Sequence, residues 1–285
     1  MNKIGIVFGL LFLQACGQKP YHGALEFSGK FPSRLSEVSG IDRAEDGSLW
    51  VLEDNGNKDK LYQISAEAKV IKEFKIDNAK NGDWEDLTIS KAGTFFIGDF
   101  GNNTNSRKDL VVYKILPKEF KKKEPKAKKL RFNYPEQKKF PPKSKDLLYD
   151  AEGFFHWEGH LYIFTKNRSR PYTGKTLIYR ISDTKEKQQA ELLGSLVLCE
   201  DQHNCSVTGA DISENGKTVV LIGYGKLFLL SDFSFPHISE ATIRTIDLEY
   251  ETQIESVCFI NDSTLLIADE QSKTKGRNLY KYLLK

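Results

Sequence analysis

The sequence predicts an all-β chain folded as a β-propeller, with five blades by direct count and six as the alternative, and three observations predict it. A short pattern of apolar, acidic or hydroxyl, small and apolar residues recurs five times through the body. Each copy is followed by strands of period-two alternation divided by turn residues. An additional apolar segment, Ala24-Leu25-Glu26-Phe27, precedes the first copy and belongs to none of them.

The copies are Val38-Ser39-Gly40-Ile41, Trp84-Glu85-Asp86-Leu87, Ala151-Glu152-Gly153-Phe154, Val207-Thr208-Gly209-Ala210 and Ile254-Glu255-Ser256-Val257. Their second residues are 46, 67, 56 and 47 positions apart, which is blade length with two insertions. Polar turns such as Asp46-Gly47, Glu158-Gly159 and Asn215-Gly216 then lead into second strands at 49–52, 95–97, 161–164, 219–222 and 265–268. Third strands carry an aromatic at their centre: Tyr62, Tyr113, Tyr179, Phe228 and Tyr280. Fourth strands follow in four copies, around 74–76, 130–132, 192–196 and 243–248, but the fifth copy runs out at Lys285. The orphan segment at 24–27 therefore supplies the missing strand and closes the ring. An open solenoid would predict more even spacing and has no use for that segment.

The chain has 285 residues, 39% of them hydrophobic, enough for one large core. It begins with a basic Met1-Asn2-Lys3, nine apolar residues from Ile4 to Phe12, and Leu13-Gln14-Ala15-Cys16. Nine residues are too few to span a bilayer as a helix, so 1–15 reads as a signal peptide. The Leu-x-Ala-Cys ending resembles the lipobox of bacterial lipoproteins, and that resemblance implies lipidation at Cys16 and a mature chain tethered to a membrane. The expected organisation is a signal peptide at 1–15, a lipidated tether at 16–23 and a propeller at 24–285 carrying a basic insert at 118–145. The expected location is the bacterial cell envelope, extracytoplasmic, on the periplasmic side of the outer membrane. Export permits disulfides, and Cys199 and Cys205 bracket a small polar loop, so they form a candidate disulfide, with a zinc site including His203 as the rival reading.

Net charge is +3, too balanced for a dedicated nucleic-acid binder, and no nucleic acid is expected as a partner of an exported chain. The charge is unevenly spread. Residues 118–145 carry twelve cations against Glu119, Glu124 and Glu136, a net +9, which leaves −6 for the other 257 residues. The insert reads either as a solvated edge whose lysines discourage sheet pairing, or as a contact with an anionic envelope surface.

In a propeller the first strand of each blade lines a central channel, so the motif places Glu85, Glu152 and Glu255 around one mouth, with Ser39 and Thr208 completing the ring. The loops after the second strands open on the same face, and Asp54, Asn57, Asp99, Asn102, Lys166, Asn167, Asp269 and Glu270 are candidate residues of a ligand- or partner-binding face. Clustered glutamates repel unless protonated, paired with a cation or hydrogen-bonded. Calcium, which takes six to eight oxygens, is the expected cofactor, with Glu85, Glu152 and Glu255 as its candidate ligands. The rival readings are hydrogen bonds from amides of the next blade and direct pairing with Lys166 or Arg168. Phe100, Tyr172 and Tyr224 are aromatic candidates for the same face.

No Gly-x-Ser-x-Gly elbow, His-Glu-x-x-His helix or glycine-rich phosphate loop occurs, and no catalytic residue is assigned. A binding role leads; a calcium-dependent esterase, lactonase or phosphatase acting at the channel is the alternative. The ordered motifs Ser39-Gly40-Ile41, Trp84-Glu85-Asp86-Leu87, Ala151-Glu152-Gly153, Thr208-Gly209-Ala210-Asp211 and Ile254-Glu255-Ser256 resemble the SdiA-regulated protein family over about residues 36–285, which implies an extracytoplasmic propeller. Copies two and three are also similar to the Asp-x-Glu-Gly segments of esterase-like phytase propellers. Ser256 and Asp86 depart from the usual glycine of the motif.

Overall fold

In the computed structural model, which describes residues 21–285, the five motif copies become five sheets arranged as the blades of a β-propeller. Two strands come first among the described residues, β1 (Tyr21–His22) and β2 (Leu25–Lys30). Blade one is β3 (Val38–Arg43), β4 (Leu49–Glu53), β5 (Lys60–Ile64) and β6 (Val70–Lys75). Blade two is β7 (Trp84–Ile89), β8 (Phe95–Asp99), β9 (Val111–Ile115) and β10 (Lys128–Asn133). Blade three is β11 (Asp150–Trp157), β12 (His160–Lys166) and β13 (Lys175–Ser182), then, after the short β14 (Lys187–Gln189), β15 (Glu191–Val197). Blade four is β16 (Gly209–Ile212), β17 (Val219–Gly223), β18 (Lys226–Ser231) and β19 (Thr242–Asp247); blade five is β20 (Ile254–Asn261), β21 (Thr264–Asp269) and β22 (Asn278–Leu283). The signal peptide segment and Cys16 lie outside the described residues, and Tyr21 and His22, expected in the tether, already pair with β2.

Blade five lacks a fourth strand of its own, and β2 supplies it, pairing antiparallel with β22 so that Phe27 faces Tyr280. Leu25 is fully buried with Val220, Leu248 and Tyr280 between blades four and five. The ring therefore closes by joining the two ends of the described chain, which removes the open edge that an incomplete blade would leave. The inner strands β3, β7, β11, β16 and β20 touch in that order, and β20 returns to β3.

The apolar residues sort into five clusters, one between each pair of neighbouring blades. Period-two strands present one side chain set to each neighbouring blade, so nearly every residue of β4, β8, β17 and β21 is buried. Each large apolar side chain buried this way contributes about 1.5–3 kcal/mol.

Polar side chains on the inner strands staple blade to blade. Asp42 Oδ2 accepts from Ile89 N (2.5 Å), Asp86 Oδ2 from Phe154 N (3.0 Å), Thr88 Oγ1 from His156 N (3.3 Å) and Asp211 Oδ2 from Phe259 N (2.7 Å). Ser39 Oγ donates to Trp84 O and Thr208 Oγ1 to Ile254 O. The small motif residue lets inner strands approach: a Cβ at Gly153 would lie 2.5 Å from Ala210 N, and one at Gly40 would lie 2.7 Å from Leu87 N.

One feature differs from the expectation of a lysine-guarded outer edge. The edge strand of blade two is not β10 but the three-residue β14, in the connection between β13 and β15, which pairs parallel with β10, Arg131 opposite Lys187. Lys-Gln-Gln has no apolar alternation, so its pairing leaves no periodic trace in the sequence.

Candidate functional site

The channel acids are aimed by bulges. In four blades the inner strand's register with its neighbour skips one residue, and the skipped residues are Ser39, Glu85, Glu152 and Glu255. A bulged residue leaves the ladder and its side chain turns away from the pleat. All four line a cavity of about 180 Å³ at one channel mouth, together with Asp54, Asn103, Lys166, Arg168, Tyr224, Gln253 and Glu270.

The three glutamates have different surroundings. Glu152 Oε1 lies 3.1 Å from Lys166 Nζ and 3.0 Å from Arg168 Nη2, while Arg168 Nε also holds Asp150 Oδ2 at 2.6 Å. Burial opposes the Lys166 charge, but Glu152 and Glu255 overcome it and leave its pKa above the usual lysine value. Arg168 also donates to Asn103 Oδ1. Glu255 Oε1 accepts from the Tyr224 hydroxyl at 2.6 Å, and the His203 ring packs on Tyr224. None of the three glutamates accepts a backbone amide among the described residues; the inter-blade amide bonds go to the aspartates and Thr88 instead.

Glu85 makes no direct ion pair or hydrogen bond among the described residues, the Arg168 guanidinium acting on it only at longer range, and it is 6% exposed. Its carboxylate oxygen instead lies with those of Asp54 and Asp83, all within 4.8 Å of one another. Burial, then the charges of Glu152 and Asp54, push the Glu85 carboxyl well above its ordinary value. Burial raises Asp54 to about 7 and Asp83 to about 6, the latter against the partial relief of Arg107, 4.0 Å away. Glu270 is pushed up to about 10 by burial and by the charges of Glu255 and Asp54. The backbone leaves room for this cluster at Gly101, where an added Cβ would overlap Glu85 Oε1 and lie 2.6 Å from Asp83 Oδ2.

Other expected face residues are spent on structure. Asp99 accepts from Asp83 N, Arg107 and Tyr113; Asp269 accepts from Thr252, Asn278 and Tyr280. Asn102 bridges to Asp150, Tyr149 and Arg107, and Asn167 is saturated by Ser169, Thr173 and Lys175. Asn57 bonds Glu37 and the Asp54 carbonyl. Of the expected face set, Asp54, Lys166 and Glu270 line the cavity. Phe100 is fully buried against Phe132 and Phe154, whereas Tyr224 reaches the cavity. Asn103 comes from the loop at 99–103 expected on this face, whereas Asp83 and Gln253 escaped the sequence reading; Asp83 stands two residues before Glu85 and could have been found as part of the run Asp83-Trp84-Glu85-Asp86.

Beside this site, Cys199 and Cys205 are joined in a disulfide, Cα atoms 5.7 Å apart, so neither offers a thiolate to a metal. The bond closes the short helix α1 (Gln202–Cys205), whose N-terminal amides are capped by Asp201. The remaining Cys258 is buried in a core cluster.

Chemically, the mouth has two halves: the Asp54, Asp83 and Glu85 carboxylates, of which Asp83 alone has a cation beside it, Arg107 at 4.0 Å, and the opposite side, where Lys166 and Arg168 hold Glu152 directly. The first half can take a hard cation through oxygen ligands, with Ser39 and Gln253 offering neutral oxygens nearby.

No protein-family model matches the chain, and no curated protein matches it in sequence. Among solved structures it is similar to the PQQ-bound aldose sugar dehydrogenase of Streptomyces coelicolor, at 10% identity over 92% of this chain and 98% of that one, with a TM-score of 0.52. It is also similar to the gluconolactonase XC5397 of Xanthomonas campestris (11% identity, 87% and 72% coverage, TM-score 0.49) and virginiamycin B lyase of Staphylococcus aureus (15%, 90% and 69%, TM-score 0.44). At these identities the likeness bears on the propeller fold alone.

Proposed function

We propose that this chain is a cell-envelope lipoprotein, anchored through Cys16, whose propeller holds a calcium ion at the channel mouth and uses the acidic face around it to bind a ligand or protein partner. The motif order further supports membership of the SdiA-regulated type of extracytoplasmic propeller. The observation that carries the cation is the Asp54, Asp83 and Glu85 cluster: three carboxylates converge there, and Glu85 has no direct ion pair or hydrogen bond to offset its charge. This shifts the ligand set from the three glutamates of the motif toward one glutamate and two aspartates, because Glu152 and Glu255 already have partners. A cavity of about 180 Å³ suits an ion with its waters, or a small polar group, better than a large apolar ligand.

The test is thermal melting of residues 17–285 with chelator and then with calcium, magnesium or zinc, alongside metal analysis of the purified protein. A rise of several degrees with calcium supports the reading, since binding to the folded state alone stabilises it. No response and no retained metal would sink it.

One observation favours hydrolysis as a second reading. Glu270 lines the same cavity as the proposed cation ligands, and burial with the charges of Glu255 and Asp54 pushes its carboxyl up to about 10, which favours the protonated form that a general acid needs. Turnover of ester, lactone or phosphate substrates that vanishes in Glu270→Gln would establish it.

A further inference from the structure

We infer that the outer edge of the second blade is a docking surface for an anionic lipid bilayer. The inference rests on the proposed membrane location but not on the cation site. Its starting point is the net +9 of residues 118–145.

The fold concentrates that charge. The insert supplies β10 and its flanking loops at the rim of the ring, and the segment entering β14 adds exposed Lys185 and Lys187, with exposed Glu186 between them, beside Arg131. The insert's three acids are occupied: Glu119 pairs with Lys122, Glu124 with Lys75 from outside the insert, and Glu136 accepts from Tyr179. Lys121, Lys123, Lys128, Arg131 and Lys138 are exposed and form no ion pair with a carboxylate among the described residues. The terminal strand of this sheet is β14, only three residues long, so the rim offers little ladder to another strand and presents mainly charge outward. The rest of the molecule is net acidic, so an anionic surface would attract this rim and repel the remainder.

A bilayer is the occupant that fits. Long lysines at a rim match a flat array of mobile phosphates, which demands no shape complementarity. One lipid anchor with a basic patch is also a recognised pairing of membrane signals.

The test is vesicle flotation of residues 17–285, which contain every described strand and lack Cys16, so any binding is independent of the anchor and of added calcium. Flotation with phosphatidylglycerol-containing vesicles at low salt, its loss at high salt and its absence with pure phosphatidylcholine are expected. Each lysine near such a surface is worth about fivefold in partitioning, so the triple variant Lys121→Gln, Lys123→Gln, Lys128→Gln should bind about a hundredfold more weakly with unchanged melting. No flotation at low salt, equal flotation with phosphatidylcholine, or an unaffected triple variant each overturns the inference. None of these outcomes bears on the calcium response, which the melting experiment reads separately.

Discussion

The Tyr113 hydroxyl donates to Asp99 Oδ2 across 3.2 Å, a diagonal contact between adjacent strands of the second blade. The same relationship recurs as Tyr280 to Asp269 (3.0 Å) in blade five and, more loosely, as Tyr62 to Glu53 (3.4 Å) in blade one. In blade four both partners are gone together: Phe228 has no hydroxyl, and Gly223 stands where the acid would be. Blade three keeps the tyrosine but ends its second strand differently, and Tyr179 turns to Glu136. The aromatic signature of the third strands is thus half core and half tether for an acid, and that tether takes Asp99 and Asp269 out of the ligand-binding face.

Removing one such tether should weaken the fold without touching the cation site. Tyr280→Phe leaves Asp269 its bonds from Thr252 and Asn278 and is expected to cost about 1 kcal/mol. Denaturant unfolding reads the cost, and a calcium-induced shift equal to wild type would confirm that Asp269 acts within its blade.

Glu152 is the partner of two cations, one of them, Lys166, nearly as buried as itself. Glu152→Gln strands that ammonium and should destabilise by about 3–5 kcal/mol, as breaking buried pairs does. The double variant with Lys166→Met should recover much of the loss; a double variant as unstable as the single would show that the ion pair is not the cause.

Gly101→Ala places a methyl group between Glu85 and Asp83. If those carboxylates hold the ion, calcium should no longer raise the melting temperature and calorimetric binding should disappear. In the wild type, protons compete for Asp54 and Asp83, whose pKa values of about 7 and about 6 lie in the working range. The calcium-induced rise should therefore grow from about pH 5 to about pH 8, with protons released on binding.

Asp211 sits at the opposite end of the channel from that cluster, its pKa raised to about 7 by burial. A raised carboxyl contributes stability that is fully present below the unfolded value of about 4 and is lost as pH climbs through about 7. Asp211→Asn stays neutral throughout, so its stability relative to wild type should improve across that window, by up to about 4 kcal/mol. Parallel pH profiles for the two proteins would refute the assignment.

Truncation tests the closure. A chain starting at residue 31 loses β2, and with it Leu25 and the pairing to β22. It should aggregate or melt far below a chain starting at residue 17, as circular dichroism can follow.

The blade count, the order of strands and the closing role of the N-terminal segment were legible because each is written in local periodicity repeated five times: alternation makes a strand, and a repeat that lacks one strand points to the segment that replaces it. The position of the acids at one mouth was legible for the same reason, since a residue at a fixed motif position occupies a fixed place on every blade. The tertiary structure alone decided what each acid does. Whether a carboxylate meets Lys166, Tyr224 or two further carboxylates depends on which side chains neighbouring blades bring within about 3 Å, and hydrogen bonds and ion pairs act at that range. No periodicity encodes such distances. The addition of Lys187–Gln189 to the second blade likewise came from backbone pairing between segments more than fifty residues apart, in which the side chains take no characteristic part.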